Sequence, residues 1–95
     1  MPSPVSIVAV SYNTPELVLQ LVRSLRQYYS HPIHIVDGSD PAPLAVLREG
    51  LAGIPELYLH AQGHNIHHGP GMAWAIQNLP LTEQVLFIDS DIAVL

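Results

Sequence analysis

Val5-Ser6-Ile7-Val8-Ala9-Val10-Ser11-Tyr12-Asn13-Thr14-Pro15-Glu16 runs from an apolar, β-branched stretch straight into the signals of a helix start. A strand that is apolar at nearly every position expects cover on both faces, the habit of parallel sheets. Thr14 is then placed to cap a helix, Pro15 suits the first helical position, and Glu16 meets the positive end of the helix dipole. One strand followed at once by one helix is the unit from which layered α/β domains are built.

The rest of the chain repeats that unit. Leu17, Val18, Leu21, Val22, Leu25 and Tyr28 follow at helical spacing, with Gln20, Arg23, Ser24 and Gln27 on the opposite face, and Pro32 closes the element. Ile33-His34-Ile35-Val36-Asp37 is a second strand. Gly38-Ser39-Asp40-Pro41 is a turn with another cap-and-proline start, leading to a short helix with Leu44, Val46, Leu47 and Leu51 that Gly53 and Pro55 end. Leu57-Tyr58-Leu59 is a third strand, Gly71 to Asn78 a third helix with Met72, Ala75 and Ile76, and Val85 to Asp89 a fourth strand. The expected fold over residues 1–95 is a three-layer α/β domain: a mostly parallel sheet with helices on both faces, in strand order 3-2-1-4. Right-handed crossovers favour that order, and it creates a switch point between the first and fourth strands, where open α/β sheets bind ligands.

Composition narrows the function. The chain of 95 residues is 48% hydrophobic and 12% charged, which describes a folded core. Three arginines, no lysine and eight acidic residues give a net charge of −5. Nucleic acid and anionic membrane surfaces need clustered cations, so neither is an expected partner. An anionic ligand would have to be held by a metal or by backbone N–H groups. Cysteine is absent, which excludes disulfides and thiolate metal sites. No apolar run is long enough for a transmembrane segment, and Met1-Pro2-Ser3-Pro4 lacks the basic start of a secretory signal. The expected location is cytoplasmic, or peripheral to the inner face of the membrane in a full-length protein.

Three strands end in polar residues: Ser11-Tyr12-Asn13, Asp37-Gly38-Ser39 and Asp89-Ser90-Asp91. The topology places all three along one rim. Asp89 and Asp91, two residues apart in an extended segment, point the same way and can share one hard cation through oxygen; the alternative is a solvated turn. The loop from His60 to Gly71 precedes a helix, and its glycines allow backbone N–H groups to approach a diphosphate, or else it is an ordinary flexible loop. His60 and His64 have a zinc-like spacing, but Gly63 and Gly69-Pro70-Gly71 argue against a helix to present them. Asp37 either accepts hydrogen bonds from a nucleobase or belongs to the turn with Ser39 and Asp40. Tyr12 either covers a base with its ring or packs against the first helix. Trp74, Tyr28, Tyr29 and Tyr58 are expected to pack, and Arg23 and Arg26 to lie on a solvated face.

Val5-Ser6-Ile7-Val8 with Val10-Ser11-Tyr12-Asn13, Ile35-Val36-Asp37-Gly38-Ser39, Asn65 with His68-Gly69 and Gly71-Met72, and Leu86-Phe87-Ile88-Asp89-Ser90-Asp91 together resemble the start of the family-2 glycosyltransferases. The resemblance covers nearly the whole chain. It implies a Rossmann-like GT-A fold, a nucleotide-diphosphate sugar as donor (UDP-sugars being favoured) and an acceptor the sequence does not name. Ser11, Tyr12 and Asp37 would line the nucleoside pocket, and Asn65, His68 and Gly71 would belong to the loop beside the donor. Asp89 would sit near the ribose or the metal's water shell, and Asp91 would ligate Mn2+ or Mg2+. Two departures stand out: a residue is missing after Asp37, and His67 replaces a common glycine.

The resemblance also places the catalytic base beyond the metal motif, so no catalytic residue is expected within these 95 residues. The apolar run Ile92-Ala93-Val94-Leu95 points to a fragment of a longer protein, inactive as a transferase and prone to self-association along its bare strand. The competing expectation is a non-catalytic nucleotide- or protein-binding α/β module.

Overall fold

The computed structural model describes residues 5–81 and 84–89. Seven elements follow one another: β1 (Val5–Ser11), α1 (Pro15–Tyr28), β2 (Ile33–Asp37), α2 (Pro41–Leu51), β3 (Leu57–Ala61), α3 (His68–Asn78) and β4 (Gln84–Asp89). The four strands form one sheet in the order β3-β2-β1-β4, and every neighbouring pair is parallel. This is the expected doubly wound arrangement. β1 and β2 are buried along almost their full length, as their predominantly apolar sequences require, and Ser6, Ser11, His34 and Asp37 are buried with them.

Each face of the sheet carries its own core. On one side Ile7, Ala9, Ile33 and Ile35 meet Val18, Leu21, Val22 and Leu25 of α1 and Leu47 and Leu51 of α2. On the other, Val8, Val10 and Val36 meet Ala75 of α3, with Met72, Trp74 and Phe87 packed around them. The α1 face differs from its expected stripe. Leu17 and Tyr28 are exposed, while Leu19 is buried. The cause is α2: Gly50 lets that helix come so close that a Cβ there would lie 2.5 Å from a Leu19 methyl. A helix packed against both a sheet and a neighbouring helix buries a broader arc than one packed against the sheet alone.

Helix ends also depart from expectation. Thr14 forms no side-chain cap, and its Oγ1 is buried without a hydrogen-bond partner. Asp40 does not cap α2 with its side chain either, because its carboxylate is bonded to Asn13 instead. Arg26 is half-buried rather than solvated, and its guanidinium donates to the carbonyls of Tyr29, His31 and Glu56, closing the C-terminal end of α1. Beside β4, Val5, Ile7, Leu25 of α1, Tyr29, His31, Leu86 and Ile88 border a mostly apolar trough of about 270 Å³. Among the described residues, no helix is long and apolar enough to cross a membrane.

Candidate functional site at the carboxyl rim of the sheet

Parallel strands all end on the same side, so the rim is set by topology. Ser11 ends β1 directly beside Asp37, which ends β2, and β4 ends with Asp89 paired to Val10 of β1. The three strand ends expected to converge do meet at one margin. Ser90 and Asp91, and the side chains of His68 and Asp89, lie outside the described part of the structure.

Ser11 and Asp37 are joined side chain to side chain. The Ser11 hydroxyl donates to Asp37 Oδ1 at 2.7 Å, the Ser39 hydroxyl donates to the same oxygen at 2.7 Å, and the Ser39 N–H donates to Oδ2 at 3.0 Å. Asp37 is only 1% exposed and Ser11 only 5%. Burying a carboxylate is costly unless it is hydrogen-bonded, and three donors answer that requirement. The Ser39 hydroxyl also accepts the Asn13 N–H at 2.8 Å. Asn13 and Asp40 bond reciprocally: Asn13 Nδ2 donates to Asp40 Oδ2 and the Asp40 N–H donates to Asn13 Oδ1, each at 2.9 Å. Asn13 adopts φ of 53°, in the left-handed region that asparagine tolerates better than most residues. Tyr12, between these pinned neighbours, is 39% exposed and belongs to neither core.

The loop after β3 completes the rim. The Gln62 N–H donates to the Asp37 carbonyl at 2.7 Å, and Gly38 lies directly beneath the backbone of His64 and Asn65. Asn65 Oδ1 accepts the His67 N–H at 3.1 Å, which helps hold His67 at φ 60° and ψ 164°. That region is close to glycine-only, so His67 is strained where the resembled family commonly carries glycine. α3 then starts at His68, earlier than its apolar pattern predicts, which leaves first-turn N–H groups at the rim. Gly71 is buried against Val10, where a Cβ would lie 2.7 Å from Val10 Cγ1, so it serves the approach of helix to strand. Beside Ser39 an open cleft of about 610 Å³ runs between Pro41, Leu44 and Arg48 of α2 and Gly63.

A second polar cluster escaped the sequence reading. His60 belongs to β3, not to the loop, and its partner is His34 rather than His64: His34 Nδ1 and His60 Nε2 are 3.0 Å apart. The ring planes differ by 18° and the centroids lie 5.3 Å apart, a separation that fits rings meeting edge to edge through an N–H···N bond. Tyr58 lies against His34, and Trp74 of α3 against His60. The signal was present in sequence as histidines alternating with Ile33, Ile35 and Leu59, but only the β2–β3 register brings the two together.

Burial lowers both imidazole pKa values below the ordinary histidine value, and His60 lowers His34 further by charge. The folded state therefore binds fewer protons than the unfolded chain. Stability is fully present above the ordinary histidine pKa, and it is lost as the pH falls through that value toward the lowered folded ones. Two doubly protonated rings would face each other donor to donor. Urea midpoints measured from pH 7.5 to 5.5 are expected to fall, and His60→Gln to flatten that decline. An equal slope in the variant would contradict the assignment.

No protein-family model matches this chain, and no curated protein matches it. Solved structures do. The mannosyltransferase PcManGT from Pyrobaculum calidifontis, in complex with GDP-Man and Mn2+, superposes with a TM-score of 0.80 at 17% identity, over 98% of this chain and 29% of its own. S. aureus TarS superposes with a TM-score of 0.69 at 24% identity, over 93% of this chain and 16% of its own. TarS 1-349 in complex with UDP-GlcNAc gives 0.67 at 23%, over 93% of this chain and 26% of its own. This chain thus spans less than a third of each of these glycosyltransferases and shares their Rossmann-like α/β fold over that part.

Proposed function

We propose that the chain is the donor-binding half of a family-2 GT-A glycosyltransferase, holding a nucleotide-diphosphate sugar at the carboxyl rim. The observation that carries this reading is the meeting of β1, β2 and β4 at one margin, beside the first-turn N–H groups of α3. Open α/β sheets bind ligands at such switch points, and helix N-termini suit phosphate. The likeness to glycosyltransferases solved with GDP-Man and with UDP-GlcNAc supports it.

Asp89 and Asp91 would hold Mn2+ or Mg2+. The donor chemistry fits: two carboxylates two residues apart in sequence, the first of them the last residue of β4, with no thiolate in the chain, suit a hard cation that seeks oxygen. Such a cation, when bound, would offset the charge that develops on the departing diphosphate. Tyr12 would offer its ring to the base, and the α3 N–H groups would orient the phosphates. The acceptor's proton would go to a carboxylate outside this chain, so the chain by itself would bind donor weakly and transfer nothing. The apolar trough beside β4 would favour self-association.

Calorimetry of UDP with Mn2+ and with EDTA, repeated on Asp91→Ala, tests the proposal. Binding is expected only with metal, and weakened by about tenfold or more in the variant, the loss typical of a charged contact. Equal, metal-independent binding in both proteins would instead identify a non-catalytic α/β module.

A further inference from the structure

We propose that His34 and His60 form a metal site of their own, taking one borderline transition-metal cation such as Zn2+ on their two facing ring nitrogens. The proposal does not depend on the nucleotide reading: the pair lies on the α3 face of β2 and β3, where Trp74 meets His60, away from the strand ends. Its ground is a distance. His34 Nδ1 and His60 Nε2 are 3.0 Å apart. Two nitrogens that each sit about 2.0–2.1 Å from one cation, at an angle between 90° and tetrahedral, are themselves about 2.9–3.4 Å apart. The strand register sets this spacing. Val36, two residues beyond His34, is opposite His60, so the two histidines are diagonal neighbours on one face of the sheet.

The surroundings suit a cation. Neutral imidazole is the ligating form, and burial favours it in both rings. Beside them lies a pocket of about 240 Å³, bordered also by Pro32, Tyr58 and Pro80. It has room for several waters of about 30 Å³ each. Among the described residues no third histidine or carboxylate joins the pair, so water would fill the remaining coordination positions. As the rings stand, one proton lies between the two nitrogens. For a cation to bind, the ring holding that proton passes it to its own outer nitrogen by exchange with pocket water, so each ring keeps one N–H. Each imidazole then turns about its Cβ–Cγ bond, a broad torsion, and aims its bare nitrogen into the pocket. Tyr58, which stacks on His34, is 43% exposed and free to follow that turn. Imidazole suits Zn2+, whereas Mg2+ and Mn2+ prefer oxygen, so this site and the carboxylates of Asp89 and Asp91 would select different ions.

Zn2+ added to the full chain at pH 7.5, followed by long-range 1H–15N spectra of the histidine rings, tests the site. His34 Nδ1 and His60 Nε2 are expected to shift together and to level off at one equivalent. Mg2+ is expected to leave both signals in place. In calorimetry His34→Asn and His60→Gln, which each remove one of the two ligands, are expected to weaken Zn2+ by about tenfold or more. His64→Ala is expected to bind Zn2+ as the wild type does, which separates this site from the histidines of the loop. Shifts confined to the rings of His64, His67 and His68 would overturn the proposal. So would wild-type affinity in both His34→Asn and His60→Gln, or ring signals that excess Zn2+ leaves unmoved. Should either variant fail to fold, the ring spectra of the wild-type chain decide alone.

Discussion

Gly38→Ala is expected to lower the melting temperature by about 15 °C, corresponding to a loss of about 3 kcal/mol in a domain of this size. An added Cβ would lie 2.8 Å from the carbonyl carbon of His64 and 3.0 Å from the Asn65 Cα, and closer still to the His64 carbonyl oxygen. All of these are backbone atoms, so no rotamer change relieves the contact. Gly38 is not in the left-handed region, so space is what requires glycine here. The loop from Gln62 to Asn65 would have to lift off, and with it the bond from the Gln62 N–H to the Asp37 carbonyl. A melting temperature within about 3 °C of wild type, against the 4–8 °C expected per kcal/mol, would show that the loop does not rest on Gly38.

The second large effect is expected at Gly71, and there the contact is with a side chain. Alanine gains about 1 kcal/mol over glycine in a helix interior, which favours the substitution. Against this, the new Cβ would meet Val10 Cγ1 at 2.7 Å and Cγ2 at 2.9 Å. Valine is β-branched, and here it is buried in the sheet, so it has no free rotamer to retreat into. Overpacking of this kind costs about 1–3 kcal/mol, and with loosened α3 packing the net expectation is a loss of about 2 kcal/mol. The diagnostic experiment is a double-mutant cycle with Val10→Ala. In that background Gly71→Ala should be neutral or stabilising, because the space it needs has been vacated. An equal loss in both backgrounds would mean that α3 does not dock on Val10.

These two glycines show how the site is held. Val10 precedes Ser11 on β1, and Gly38 immediately follows Asp37, the last residue of β2, so both close approaches sit one residue from the Ser11–Asp37 hydrogen bond. The fold brings α3 and the loop after β3 down onto the strand ends at the points where no side chain intervenes. Interiors this close-packed pass a local displacement on to their neighbours.

Much of this was legible in the chain as written. The apolar run Ile7–Val10 and the mostly apolar Ile33–Val36, broken only by His34, declare strands covered on both faces, and Thr14-Pro15-Glu16 and Asp40-Pro41 announce helices, because strand and helix signals are local. Alternation of those signals, with right-handed crossovers, leaves few sheet orders, and 3-2-1-4 was the observed one. Since every parallel strand ends at the same margin, the juxtaposition of Ser11, Asp37 and the end of β4 was predictable as well. Side-chain partners were not. The inward turn of Asp37 depends on Ser39 reaching back two residues and Ser11 reaching across the sheet. The pairing of His34 with His60 depends on the register of β2 against β3. Burial of Leu19 instead of Leu17 depends on where α2 lies, and the crowding at Gly38 and Gly71 on how a loop and a helix settle. Backbone propensity and periodicity act within a few residues and so can be read along the chain. Apart from the reach of Ser39 back to Asp37, these hydrogen-bond partners and close contacts join segments far apart in the chain, and only the packed molecule, weighing desolvation against space, selects among them.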